Sequence, residues 1–441
     1  MTKKILLGIT GCIAAYKAAE LVRSLQKASS DIEIKVLMTN KAQKFIGADT
    51  FRALTGNKVS TQVFGDDISG IPHIEYVQET DLYVIAPCTA NTVAKLACGI
   101  ADNLVTSAAL ACTAPILVAP AMNVHMLENA ATQKNLELLR SRGVQILEPS
   151  YGELACGENG KGRLASVQQL TDAILFTLST GNKKDLTGKN ILITAGPTQE
   201  LIDPVRFLSN ASSGKTGYAL AACAAVRGAN VTLVTGPCEL EPPTGVNVIQ
   251  VQSALQMYEA CENPFLAADA AIFTAAVSDW RASTQSYKKI KHDELVDLHN
   301  KQAFQNVMGH SAGNAAATSN AASPVSATNF AGTNTTFNLS LKSNPDIAAS
   351  LCSHKDSRFC VAFAAETENI IENAQKKLIT KNVDLVVAND VGIPEQAFGC
   401  DSNKVWFVTS KTMLELKRQS KRDIAVKLLD IVAMVLNGNL A

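Results

Sequence analysis

Two short stretches carry more reactive groups than a fold requires: Pro120-Ala121-Met122-Asn123 and Ala155-Cys156-Gly157-Glu158-Asn159-Gly160-Lys161-Gly162-Arg163. The second sets one thiol among three glycines, a lysine and an arginine. That composition suits a mobile flap that closes over an anionic substrate and presents sulfur to it. Reactive thiols need a partly exposed, electropositive setting, which Lys161 and Arg163 are placed to supply. Asn123 is either a substrate ligand or a cap on the next helix. His73, after Pro72, is either an acid–base group or a solvated surface histidine. The remaining cysteines read as small apolar fillers.

Nucleotide chemistry has its own candidates. Gly8-Ile9-Thr10-Gly11 is a strand–Gly–helix turn rather than a full dinucleotide fingerprint, yet backbone N–H groups at a helix start favour phosphate. Thr39 and Thr89 follow other strands as hydroxyl donors, and Phe45 is placed to cover a ring. The alternative is that the glycines only turn the chain and the threonines only cap helices. Ser209-Asn210-Ala211-Ser212-Ser213-Gly214-Lys215-Thr216-Gly217 invites a phosphate-loop reading, but that motif needs glycine at position 209, where this chain has serine. A different way of holding phosphate at the helix near Gly217 stays open.

These groups need elements to hold them. With 441 residues the chain is too long for one ordinary core, so two domains of roughly 150 to 250 residues are expected. Lysine and arginine number 40 and so do aspartate and glutamate, so no global field recruits nucleic acid or an anionic membrane. Small-molecule partners are expected, at anion sites built locally. The 11 cysteines show no C-x-x-C pair or zinc spacing, which points to reduced thiols in the cytoplasm. No signal segment and no run of ~20 apolar residues is found, so no membrane partner is expected.

Apolar runs at Ile5 to Ile9, Ile34 to Met38, Leu82 to Ala86 and Pro115 to Ala119 alternate with helical patterns. A fresh strand–helix–strand series begins at Ile191, with further strands near Val231, Ala271, Cys360 and Leu385. The fold class is α/β: two doubly wound Rossmann-like domains with mainly parallel sheets, over residues 1–183 and 191–441, joined by a linker at 184–190. Ligands are expected at the carboxyl ends of the strands. An Ala/Asn/Ser/Thr-rich stretch near 309–338 reads as a flexible insertion.

The runs Gly11-Cys12-Ile13-Ala14-Ala15-Tyr16-Lys17, His73-Ile74-Glu75, Ala86-Pro87-Cys88-Thr89-Ala90-Asn91-Thr92, Pro120 to Asn123 and Ala155-Cys156-Gly157 resemble the flavin-dependent cysteine decarboxylases. The likeness is greatest to the decarboxylase half of the bifunctional coenzyme A biosynthesis flavoproteins. Cys12 stands where that family often has glycine. The resemblance implies FMN held by Gly11, Ile13, Ala14, Thr39 and Phe45, and by Thr89, Ala90, Asn91 and Thr92. It implies oxidation of the substrate thiol to a thioaldehyde, which gives the departing carboxylate an electron sink, then return of the hydride. His73 becomes the base near the thiol, Asn123 the carboxylate holder and Cys156 the proton donor.

Thr194 to Glu200, Asn210 to Gly217, Ala275 to Trp280, Lys289-Ile290-Lys291, Asn344 to Ile347, Phe363 to Thr367 and Ala388-Asn389-Asp390 are similar to the ligase half of the same family. The implied reaction joins 4'-phosphopantothenate to L-cysteine: CTP turns the carboxylate into an acyl cytidylate, and the amine displaces CMP. The resemblance assigns CTP to Phe273, Thr274, Ala275, Asp279 and Lys289, to Pro345, Asp346, Ile347, Ala348 and Phe363, and to Lys377 and Lys381, which are spaced four apart on one helix face. Asn210 would meet the acyl cytidylate. Mg²⁺ would bridge phosphate oxygens, with Asp279 on the nucleotide or metal. The lysines have a plainer alternative as solvated surface groups. The resemblance also implies a homo-oligomer, with flavin sites between subunits of a trimer and ligase halves pairing as dimers. The insertion between Lys291 and Lys342 departs from the family. The rivals are an inactive second half and a flavin-binding regulator, disfavoured respectively by Asn210, Asp279 and Lys289 and by Cys156.

Overall fold

The structure, a computed structural model, describes residues 2–62, 71–291, 339–392 and 399–438. The stretch 309–338 lies outside the described residues.

The first sheet is built from β1 (Lys3–Ile9), β2 (Ile32–Met38), β3 (Val59–Ser60), β4 (Leu82–Cys88), β5 (Ile116–Pro120) and β6 (Gln145–Ile146), in the order β3-β2-β1-β4-β5-β6 and parallel throughout. Its strands are apolar runs because both faces are covered. Ile5, Leu7 and Ile9 pack against Leu21 and Leu25 of the helix Lys17–Ala28 and against Leu170 and Ile174 of the helix Val167–Thr180. Leu6, Tyr83 and Ile85 point the other way, to Val93 and Val105. A hairpin of β7 (Ser150–Glu153) and β8 (Asn159–Arg163) stands apart from this sheet.

The second sheet uses β9 (Asn190–Ala195), β12 (Asn230–Thr235), β13 (Val246–Gln250), β14 (Ala270–Phe273), β17 (Phe359–Glu366), β18 (Leu385–Asp390), β19 (Ser402–Val408) and β20 (Met413–Ser420), in the order β13-β12-β9-β14-β17-β18-β19-β20. Two small antiparallel pairs lie outside it: β10 (Gln199–Leu201) with β11 (Phe207–Ser209), and β15 (Trp280–Ala282) with β16 (Leu341–Ser343). The parallel strands follow the expected alternation with helices. The antiparallel edge β18-β19-β20 is an addition to it. The C-terminal helix Lys421–Leu436 packs Ile424, Leu428 and Val432 into the same core as Ile191 and Leu233. Phe176, from the helix that covers the first sheet, is buried in that second core, so one helix serves both.

Each sheet changes direction once, between β1 and β4 in the first and between β9 and β14 in the second. At such a point the loops diverge and leave a crevice. A buried threonine bridges each. Thr10 Oγ1 donates to Pro87 O at 2.7 Å and accepts from Thr89 N at 3.0 Å. Thr194 Oγ1 accepts from Ala275 N at 3.2 Å, while Thr274 Oγ1 donates to Thr194 O at 2.6 Å.

Replacing Thr10 by valine keeps the volume and orphans the Thr89 N–H. We expect a loss of about 1–3 kcal/mol from the first unit, the usual cost of a buried unsatisfied donor, read as a lower urea midpoint for its unfolding. An unchanged midpoint would show that the bridge is dispensable.

Candidate active sites

A cavity of about 1210 Å³ opens at the carboxyl ends of β1, β2, β4 and β5 and is covered by the β7–β8 hairpin. Gly11, Ile13 and Ala14 line one side, from the turn after β1 and the 3₁₀ turn Ile13–Tyr16. A side chain at position 11 would drive its Cβ to 2.5 Å from Lys41 Cβ, so the backbone there is available to a ligand only as glycine. Thr39, Thr89, Ala90, Asn91 and Thr92 line the next wall. Thr89 also caps its helix, its hydroxyl accepting from Thr92 N at 3.4 Å, so capping and lining coexist. Lys17 and Arg163 bring positive charge to the cavity; burial first, and Arg163 second, push the Lys17 ammonium down.

Asn123 and Cys156 face each other across the mouth. Asn123 Oδ1 caps the following turn by accepting from His125 N at 2.9 Å, which leaves its amide free to reach the hairpin. Asn123 Nδ2 lies 3.4 Å from Cys156 Sγ and donates to Glu158 Oε2 at 2.6 Å, and Cys156 Sγ lies 3.5 Å from that oxygen. The Asn123 amide, and next the Cys156 thiol, hold the Glu158 carboxyl below the usual carboxylate range. Cys156 is exposed, whereas burial pushes the Cys223 and Cys261 thiols up to about 12, as befits inert fillers.

The glycines of the hairpin do a different job from the mobility expected of them. Met122 N donates to Gly162 O at 3.0 Å, and a Cβ at position 162 would stand 2.3 Å from Met122 O. Bare backbone lets β8 lie directly on the segment that carries Asn123. Lys161 turns away to Glu148, with Nζ–Oε2 2.8 Å, so of the two cations expected beside the thiol only Arg163 lines the cavity. Phe45 and His73 are not among the lining residues either. Phe45 is 49 % exposed. His73 sits in the first turn of the helix Pro72–Gln78, not in a loop, and its Nδ1 is buried without a hydrogen-bond partner among the described residues.

The second cavity, about 510 Å³, lies at the carboxyl ends of β9, β14, β17 and β18. Phe273, Thr274, Ala275 and Asp279 line it. So do Pro345, Asp346, Ile347 and Ala348, together with Phe363 and Lys381. Asn210 lines it and donates to Ala276 O at 3.2 Å and Val277 O at 3.0 Å, fixing the loop after β14. Asp346 caps the helix Ile347–Cys352 and pairs with Lys381 Nζ at 2.6 Å. Lys377 pairs with Glu366 instead and does not line the cavity. Lys289 is exposed and lies outside it. Its neighbour Ile290 is pinned, N–H to Asp203 at 3.1 Å and C=O from Arg206 at 2.7 Å. The Arg206 guanidinium holds the buried Asp203 carboxyl well below its usual range. Ser209 ends a strand of a separate hairpin, and Lys215 Nζ goes to Asp401 and Gly399, so the run Ser209 to Gly217 lacks phosphate-loop geometry. Among the described residues no group of three or more His, Cys, Asp or Glu could hold a metal.

The family model for flavoproteins matches residues 1–179, and that for the DNA/pantothenate metabolism flavoprotein C-terminal domain matches 186–314 and 310–436. The coenzyme A biosynthesis bifunctional protein CoaBC of Escherichia coli (strain K12) is 42% identical over 403 residues, covering 91% of this chain and 89% of its own. The protein of the same name from Bacillus subtilis (strain 168) is 39% identical over 434 residues, 98% of this chain and 97% of its own.

The chain belongs to the CoaBC family.

It is a bifunctional enzyme of coenzyme A biosynthesis, a flavoprotein decarboxylase unit followed by a ligase unit. Among solved structures, the C-terminal domain of a CoaBC protein covers 58% of this chain and all 100% of its own, with 34% identity and a TM-score of 0.43. The FMN-dependent cysteine decarboxylase SpaF covers 40% and 96%, with 30% identity and a TM-score of 0.36.

Gly162→Ala should push β8 off Met122 and separate Cys156 from Asn123. Misplacement by about 1 Å costs on the order of a hundredfold in rate. Decarboxylation of added substrate should fall by about that factor while flavin absorbance is kept; an active Gly162→Ala would show that the hairpin need not dock.

Proposed function

We propose that the first unit decarboxylates 4'-phosphopantothenoylcysteine with FMN and the second makes that compound from 4'-phosphopantothenate, L-cysteine and CTP. The observation that carries the first half is the Asn123 amide and Cys156 thiol, 3.4 Å apart at the mouth of a cavity whose glycine turn and lining cations suit a flavin phosphate. Gly11, Ile13 and Ala14, the run Thr89 to Thr92, Lys17 and Arg163 hold the phosphate and ring. A bound FMN would supply a reversible two-electron oxidation of the substrate's thiol-bearing carbon, which would give the carboxylate its electron sink. Asn123 exchanges the Glu158 carboxylate for that of the substrate. Cys156 Sγ gives its proton to the carbon that loses carbon dioxide. His73 takes the substrate thiol proton, from a neighbouring copy in an oligomer whose flavin sites lie between subunits. The stranded Nδ1 and the absence of His73 from the described lining of its own cavity support that arrangement.

In the ligase half the phosphopantothenate carboxylate attacks the α-phosphorus of CTP, pyrophosphate leaves, and the cysteine amine then displaces CMP from the acyl cytidylate. Asn210 and Asp279 border the activated carboxylate. Lys381, and Lys289 and Lys377 from outside the resting cavity, offset the phosphate charge, which would otherwise oppose the attack. The described residues do not make a metal site by themselves, so any Mg²⁺ would arrive on the phosphates. No described helix is long and apolar enough to cross a membrane.

Cys156→Ser should give yellow protein that oxidises 4'-phosphopantothenoylcysteine but releases little 4'-phosphopantetheine by mass analysis. Full turnover would remove Cys156 as the acid. Lys289→Gln should abolish CTP-dependent pyrophosphate release while decarboxylation of added 4'-phosphopantothenoylcysteine survives. Undiminished pyrophosphate release would take Lys289 out of the activating step.

A further inference from the structure

The strip from Ala276 to Asp279 runs on from β14 beyond the sheet, so its peptide groups depend on partners supplied from elsewhere. Asn210 donates to the carbonyls of Ala276 and Val277 at 3.2 and 3.0 Å. Thr198 is fully buried, and its hydroxyl accepts from Ser278 N at 3.0 Å. The far end of the strip falls to Asn344, which stands outside the residues given to CTP. Asn344 Nδ2 donates to Ser278 O at 2.8 Å, and its backbone N–H donates to Asp279 O, also at 2.8 Å. Its Oδ1 accepts from Arg281 Nη1 at 2.7 Å, and the same nitrogen donates to Ser343 O at 2.6 Å. A carbonyl on one side and a guanidinium on the other admit only one orientation of that amide.

The place of Asn344 in the chain gives these contacts a consequence. It lines the ligase cavity and leads directly into the wall from Pro345 to Ala348, which lines it too. The pairing of β15 with β16 sets Trp280 opposite Ser343, so Asn344 lies one residue past the last pair and meets the strip at Ser278 and Asp279. One side chain therefore ties the wall assigned to the nucleotide to the strip that carries Asp279 and receives Asn210. Attack of a carboxylate on phosphorus requires both substrates to be held close and in line, and the spacing of these two walls decides whether they are. We propose that Asn344 is a positioning residue of the ligase reaction: it holds the Asp279 strip against the wall from Pro345 to Ala348 and so fixes the acyl substrate relative to the nucleotide. Arg281 orients the amide for this task. The inference rests on the ligase reading above and deepens it.

The test uses the full-length protein. Asn344→Ala removes the side-chain tie, and Asn344→Asp keeps the acceptor for Arg281 while turning an oxygen toward Ser278 O. Misplacement by about 1 Å costs on the order of a hundredfold in rate, so both variants should lose about that factor in kcat for CTP-dependent pyrophosphate release, with KM for CTP within about threefold of wild type. Decarboxylation of added 4'-phosphopantothenoylcysteine should be unchanged. Combined with Asp279→Asn, Asn344→Ala should slow the reaction by no more than about threefold further, because groups that act through one strip are not additive. A readout that needs no turnover is hydrogen–deuterium exchange: in Asn344→Ala the peptide spanning residues 276–280 should exchange about tenfold faster, the shift expected on losing one hydrogen bond. Wild-type kcat in Asn344→Ala would overturn the proposal, as would a loss confined to KM for CTP, which would make Asn344 a direct ligand. Fully additive losses with Asp279→Asn, or unchanged exchange, would overturn it as well. Wild-type protein that releases no CTP-dependent pyrophosphate would overturn the ligase reading instead, and the exchange rates would still decide whether Asn344 holds the strip.

Discussion

Both halves depend on one constraint: a parallel sheet covered on both faces can present polar groups only at its strand ends. Leu6 and Leu7 show how little room the sheet itself leaves, since adjacent side chains are fully buried in opposite cores. Chemistry is confined to loops, and loops are held badly unless something ties them across the crevice where the strand order reverses. Thr10 and Thr194 do this. Each hydroxyl accepts a backbone N–H from the neighbouring loop at about the same distance, 3.0 and 3.2 Å, and each lies beside a cavity. The same device therefore positions the crevice proposed for flavin in one half and the crevice proposed for acyl activation in the other.

The hairpin over the first cavity illustrates a second consequence. A glycine-rich segment reads naturally as a mobile lid, but Gly162 is needed because backbone meets backbone at Met122. Close docking brings the Glu158 carboxylate onto the Asn123 amide, the group assigned to the substrate carboxylate. An internal carboxylate thus takes the place of an external one. On the proposed function, exchange of the two would replace one charge-assisted hydrogen bond by another, so a substrate carboxylate would displace Glu158 at little net cost.

The central strands were legible because burial on both faces writes apolar runs into the sequence. The edge hairpin β19–β20 was not, because β20 buries only Leu416 among its eight residues. Cys156, Asn123, Asn210 and Asp279 were readable from motifs and do line cavities. Glu158 was not singled out, since its importance comes from a contact with a residue 35 positions away. Lys161 shares a face of β8 with Arg163, so strand alternation does not separate them; Lys161 is drawn off by Glu148, a partner that sequence spacing does not reveal.

Zero net charge has a structural counterpart in these sites. Lys95 pairs with Asp102, Lys381 with Asp346 and Lys215 with Asp401, each at 2.5 or 2.6 Å and each beside a cavity. An array of phosphate-binding cations left bare would repel itself and weaken the fold; each local carboxylate removes that repulsion in the free protein. The pairs are partly exposed, so each is worth about 0–1 kcal/mol and is readily exchanged for a phosphate oxygen. Their geometry suits cations that must be harmless at rest and available on binding.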